Sequence, residues 1–343
     1  MVESGNGRWR VAGTRKRLAV LTGSAVLLVA AALASLAAGS RGIAPGDVLH
    51  ALLHSGNDDE TLIVRSLRVP RTIVGVAAGA ALAVAGVLMQ ALTRNPLADP
   101  RIMGVSSGAS LGVVVAISVL GLTTLRSYIW FGVAGAALAG AFVYAVAART
   151  RDGASPVTLA LAGAGLDASL TGVVIAVLTL NTQTFDQYRF WAVGSLAGRT
   201  GEVALWVLPF VAAGAVMAFG VASGLDALAL GDDVARGLGR DVDRVRMVAA
   251  VAAVVLAGAA VAAAGPVGFV GLAVPHLARG LVGAAHRWVM AVSLLLGPAL
   301  LLTADVIGRV VVPPAEVKAG VVTALIGAPL LILLVRRGRT VTA

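Results

Sequence analysis

Charge placement constrains this chain more than any other feature. No Asp, Glu, Lys or Arg occurs in residues 72–93, 102–125, 127–148, 203–225 or 319–335. A helix rises about 1.5 Å per residue, so the roughly 20 apolar residues needed to cross a bilayer fit within most of these runs. Backbone groups in lipid must be hydrogen-bonded internally, which for such stretches means helices. Residues 18–40, 247–264, about 267–284 and 288–308 read the same way, the last with Asp305 near its end. The run Met247–Ala278 is too long for one helix and is divided by Gly265-Pro266. Gly153–Phe185 holds one more span, interrupted by Asp167. The expectation is an all-α polytopic membrane protein of about ten transmembrane helices, forming a single domain over residues 1–343.

Composition excludes the main competitor, a very hydrophobic soluble enzyme. Only 13% of residues are charged and 58% are hydrophobic, against about 25% charged in soluble domains. The apolar residues also come in blocks rather than periodic stripes. The 42 glycines suit helices that pack in lipid by close backbone approach. With no cysteine, disulfides and thiolate metal sites are excluded. The apolar run after RWRVAGTRKR exceeds the about 7–15 residues of a secretory signal core. It reads as the first span, with residues 1–17 as a basic cytoplasmic N-terminus.

A net charge of +10 would suggest nucleic acid in a soluble protein, but here the bases flank apolar runs. With the N-terminus in the cytoplasm, 18 of the 27 bases fall inside. The positive-inside rule therefore puts both termini of an even-numbered bundle in the cytoplasm of a cell membrane protein. Arg65, Arg68 and Arg71 cluster against that rule on the outer side, and Arg309 joins them. Asp305 and Arg309, four apart, can pair on one helix face.

Other polar residues invite a role. Asp167 near the bilayer midplane either lines a translocation path or is protonated or bonded to a neighbouring hydroxyl. His50 and His54 share a helix face without a third ligand, so a solvated face is preferred and no metal site is expected. His276, beside Pro275, reads as structural. The inner stretch 223–246 opens a short helix with Asp232 and Asp233, whose charge offsets the helix dipole. Leu228, Leu230, Val234 and Leu238 give that stretch an apolar set, which a solvated linker does not need. It reads as a docking helix. There is no G-x-x-x-x-G-K-[ST] loop around Lys16 or Lys318, and no motif that would carry enzymatic chemistry. Any ATP-Mg must be used by a separate subunit.

The segment RVPR, followed by GAALAVAGVLMQALTRNPLADPRIMGVSSGASLG, resembles the signature of the FecCD/BtuC-like permeases. So do W-x-x-G-S-L at Trp191–Leu196, the element from Gly231 to Gly239, and AAGPVGFVGLAVPHLARGLVG. These are membrane subunits of ABC importers for ferric siderophores, haem and cobalamin. The resemblance implies a BtuC-like permease fold and a dimer of this chain or of it with a paralogue. It also implies two cytoplasmic ABC ATPases and an external binding protein. Arg68, Arg71 and Arg309 would dock acidic residues of that protein. Gly231, Asp232, Ala235, Leu238 and Gly239 would couple to the ATPase. Asp167 and Val317-Lys318 depart from the family's pattern. The rival from another class is an ion-coupled secondary transporter using Asp167.

Overall fold

The computed structural model describes residues 13–39, 42–54, 56, 58–150 and 155–337, and the regular elements among them are all helical. The basic segment 1–12 and Arg339 of the expected inner flanks lie outside the described residues. In chain order the helices are α1 (Thr14–Ala37), α2 (Pro45–Leu53), α3 (Asp59–Leu62) and α4 (Val69–Leu92). Then come α5 (Val105–Ser118), α6 (Leu125–Ala148), α7 (Pro156–Leu180), α8 (Thr182–Ala192) and α9 (Gly201–Leu228). The last five are α10 (Asp232–Gly237), α11 (Val242–Ala264), α12 (Val270–Val282), α13 (His286–Val311) and α14 (Ala319–Arg337).

Seven stretches are long and apolar enough to cross a membrane, and α5, α12 and residues 319–329 are shorter apolar helices. Together they fall on the ten expected spans, with a correction at two of them. The runs 102–125 and 267–284 were expected as full spans, but α5 has 14 residues and α12 has 13. Each starts late, after a turn, and α5 also ends early, at Ser118, before Gly121 at φ 65°. One opening turn is the 3-10 turn Pro100–Met103 followed by Gly104 at φ 67°. The other is a bend that puts Phe269 at φ 69°. These turns fold into the bundle: Pro100 packs on Gly271 at the start of α12.

The core is centred on α4. Its most apolar window, taken with the turns before it, is 89% buried, against 72% for α11 and 11% for α7. Ten of the 24 residues of α4 are alanine or glycine, gathered mostly in its middle, so α11, α12 and α13 can lie close against its backbone there. At two points only glycine fits. A Cβ on Gly79 would lie 2.6 Å from Pro298 Cα of α13, and one on Gly86 would lie 2.7 Å from Gly271 Cα of α12. This is the small-residue packing expected where lipid offers no hydrophobic drive for helices to associate. α4 is preceded by one π turn, Ile63–Arg68. Pro70 has no N–H for the carbonyl four residues back, and a wider turn relieves the clash of its ring.

Trp191 is part of the packed interior. It is 3% exposed and packs with Tyr188 at a ring separation of 5.8 Å. The loop after α8 is tucked into the bundle, where Ser195 N–H donates to the Ala264 carbonyl at 2.7 Å.

Candidate functional site

Three places on the bundle carry polar chemistry: the end holding the start of α4, the middle beside α7, and the end holding α10. Following the arginine count, the first is called the outer end and the last the inner end.

At the outer end, the arginines that break the orientation rule have structural partners. The last carbonyls of a helix lack intrahelical donors and carry the negative end of its dipole. Arg68 Nη1 donates to the carbonyls of Leu36 and Ala37, both at 2.7 Å. Arg309 Nη1 donates to those of Ser35 and Ala38 at 3.0 and 2.9 Å. The two side chains thus cap the C-terminus of α1. Arg65 does the same for α2, through the carbonyls of Ala51 and Leu52 at 2.6 and 2.9 Å. Arg71 grips Asp305 with Nε and Nη2 at 2.9 and 2.8 Å. It also holds Glu316 with Nη1 and Nη2 at 3.2 and 2.9 Å.

The expected pair of Asp305 and Arg309 is present, with Arg309 Nε 3.2 Å from Asp305 Oδ2. The angle makes it a charge contact rather than a hydrogen bond, since that Nε has no acceptor. The arginines implied in docking are largely covered within this chain. Arg68 and Arg309 are 6% and 2% exposed, and the Arg71 side chain is mostly covered. The orphan carbonyls of α1 and the buried Asp305 claim these guanidiniums first. Glu316, in the loop before α14, is held below the usual carboxylate range. Burial opposes its ionisation, but the hydrogen bonds and charge of Arg71, helped by Arg309 and Lys318, outweigh it.

Arg68, Arg71 and Arg309 border an outer cleft of about 460 Å³, whose lining also includes Arg199 of the loop between α8 and α9. Nothing in the sequence distinguished Arg199 from the other outer bases. Only its position just after the W-x-x-G-S-L element could have marked it.

In the middle, Asp167 of α7 faces a cavity of about 620 Å³ with Asp99, Arg101, Ser106, Ser110 and Pro266. Both shortening turns border it. Asp167 makes no hydrogen bond or ion pair within the described residues, so the bond to a neighbouring hydroxyl considered from sequence is absent there. Asp99 is pinned within its own turn by the N–H and Nε of Arg101, each at 2.9 Å.

At the inner end, α10 is six residues long and stands between Gly231 at φ 110° and Gly239 at φ 76°. These backbone conformations are open to glycine and strained for other residues. Ala235 is fully buried beneath the helix, while Leu230, Val234 and Leu238 are 65%, 48% and 62% exposed. Leu228, expected in the same apolar set, is buried at the end of α9. Asp232 is held from two sides, by Arg94 Nη2 at 2.6 Å and Arg246 Nη2 at 2.8 Å. Arg94 follows α4, and Arg246 lies on the first turns of α11. Sequence reading gave Arg94 and Arg246 no role beyond the orientation count. Nearby, Asp226 Oδ1 accepts from the N–H and Nδ1 of His286 at 2.9 and 2.7 Å, which caps α13 from a neighbouring helix.

His50 and His54 stack with ring centroids 4.6 Å apart. No group of three potential metal ligands occurs among the described residues.

Comparison with known proteins places this geometry. Residues 27–337 match the FecCD transport family. The chain is 43% identical over 322 residues to the ferric enterobactin transport system permease protein FepD of Escherichia coli K12, covering 94% of this chain and 96% of that one. It is 41% identical over 305 residues to the Fe(3+)-citrate import system permease protein YfmD of Bacillus subtilis 168, covering 89% and 90%. It is 42% identical over 283 residues to the cobalamin import system permease protein BtuC of Halobacterium salinarum, covering 80% and 73%. Among solved structures, a chain assigned to the metal-chelate type of ABC transporter, in an inward-facing conformation, superimposes with a TM-score of 0.83 at 28% identity. That match covers 93% of this chain and 99% of the other. With its motifs, its helices and nearly its full length in agreement, the chain belongs to the FecCD transport family.

Proposed function

We propose that this chain is the membrane-spanning permease subunit of an ABC importer that carries a metal chelate, a ferric siderophore first among the candidates. A separate cytoplasmic ATPase, present in two copies, binds ATP-Mg and supplies the work. An external binding protein delivers the cargo. A second copy of this chain, or a paralogue, completes the path, and both termini face the cytoplasm.

The observation that carries this reading is α10. A six-residue helix that exposes Val234, with Leu230 and Leu238 exposed just before and after it, is suited to a protein groove, and its glycine brackets and paired Asp232 hold it in one orientation. When the ATPase closes on ATP, it displaces α10, and the ion pairs of Asp232 carry that movement to α4 and α11. The cavity beside Asp167 is the segment of the path within the membrane. An apolar conduit carries little selectivity, so cargo choice rests with the binding protein. Of the three arginines implied in docking, Arg71 is the one placed to exchange Glu316, which is 25% exposed, for a carboxylate of the delivery protein. Such an exchange gives register rather than bulk affinity. Family membership leaves the ion-coupled carrier without a supporting observation.

The test is capture of the partner ATPase by the detergent-solubilised permease, comparing wild type with Val234→Glu/Leu238→Glu. Both side chains are exposed, so the fold is spared. Capture should be lost in the variant. Equal capture by the two proteins would overturn the reading of α10.

A further inference from the structure

Arg199 differs from the arginines around it. Arg68 and Arg309 have helix carbonyls, and Arg71 has two carboxylates. Arg199 is 8% exposed, makes no hydrogen bond or ion pair within the described residues, and has an Nε sealed from solvent without an acceptor. The charged neighbour that acts on it through space is Arg71, which repels it, and Tyr128 offers only a phenol. Burial draws its pKa down to about 10, so it remains a cation at neutral pH and does not shed its charge to escape desolvation.

The loop leading to Arg199 is tied down at three positions just before it. Ser195 is bonded to Ala264, Gly320 N–H donates to the Gly194 carbonyl at 3.1 Å, and the fully buried Leu196 lies against Gly75. A fixed, buried, uncompensated cation is costly. It is retained where an anion arrives to neutralise it. The surroundings favour that arrival, since Arg68, Arg71, Arg199 and Arg309 stand against Glu316 in the cleft wall and Asp305 behind it.

We propose that Arg199 is the receiving group for a carboxylate-type oxygen of an anionic metal chelate entering the outer cleft. This rests on the permease reading. The guanidinium is a planar fork of donors that matches two such oxygens at once. The cleft, at about 460 Å³, has the size of a small-molecule pocket. Arg199 is only 8% exposed, so an anion must enter the cleft to reach it, which favours a small cargo over a side chain of the delivery protein.

The test uses the full chain in nanodiscs, with ferric citrate as the probe and equilibrium dialysis as the readout. Wild type should bind it with an affinity that falls as salt rises. Arg199→Gln should weaken binding about tenfold or more, as loss of a bidentate charged contact implies, and Arg199→Lys should fall between the two. Without ligand, Arg199→Gln should melt no lower than wild type, because an unpaired buried charge has been removed.

Two results would overturn the assignment. One is a wild type that binds no ferric citrate. The other is an Arg199→Gln variant that binds it as well as wild type, whether or not its melting temperature drops; lost capture of the delivery protein by that variant would then make the anion a protein side chain. Failure of ATPase capture by wild type, with ferric citrate binding intact, would sink the permease reading and leave Arg199 as an anion site.

Discussion

Asp305→Asn isolates the outer ion cluster with almost no change of shape. Asp305 is 1% exposed, and its carboxylate is gripped by Arg71 through two hydrogen bonds at 2.8 and 2.9 Å while it faces Arg309 at 3.2 Å. Asparagine keeps the volume and removes the charge, leaving guanidiniums without their central counter-ion. Breaking a buried pair from one side costs about 3–5 kcal/mol. With an unfolding entropy of about 2.1 cal/mol/K per residue, a chain of 343 residues should lose on the order of 4–7 °C in Tm. Glu316→Gln supplies the internal control, because Glu316 is a quarter exposed and shares Arg71 with Asp305. That pair is worth about 0–1 kcal/mol, or less than about 2 °C. The assay is thermal unfolding of the detergent-solubilised protein followed by tryptophan fluorescence, since Trp191 is buried in the same bundle. Replacing both partners, as in Arg71→Met/Asp305→Leu, should recover part of the loss, because Arg309 keeps its carbonyls and Ser35. An Asp305→Asn variant that melts no lower than Glu316→Gln would refute the view of Asp305 as the anchor of this end.

Gly86→Val should destabilise by about 1–3 kcal/mol through overpacking and lower the yield of folded protein in detergent size-exclusion chromatography, since its Cβ would meet the Gly271 backbone. Gly172→Ala, where the added carbon meets nothing, should behave as wild type. Asp167→Asn should reduce uptake of the transported chelate in whole cells; unchanged uptake across pH would remove Asp167 from the path. Glu316 sets a pH window. Its pKa is lowered on folding, so its contribution is complete above its unfolded value of about 4.3 and is lost as pH falls through the folded value below that. The Tm difference between wild type and Glu316→Gln should stay level from pH 8 to 5 and disappear in stronger acid. A difference that closes between pH 7 and 5 would contradict the assigned direction.

Spans were legible because lipid excludes charge, and gaps between charges mark where helices cross. The turns that open α5 and α12 were not, because a charge-free run says nothing about where backbone hydrogen bonds break inside it. Gly104 and Phe269 break them by taking left-handed conformations. The pairing of Asp305 with Arg309 was visible, being set by helical spacing alone. The partners of Arg68 and Arg309 were hidden, because they are carbonyls of a helix end far along the chain and carbonyls carry no sequence signature. Arg199 and Arg94 stayed invisible for a related reason. One is notable for a partner it lacks, and the other for an aspartate 138 positions away.

The seating of α10 has a mechanical consequence. A lever fixed to loosely packed, lipid-facing helices would dissipate a push in local rearrangement. Asp232 instead joins this handle to the ends of the two best-enclosed shafts in the bundle, α4 and α11. Under the proposed coupling, force applied at α10 would enter the stiff frame first, and yielding would fall to the least enclosed span, α7.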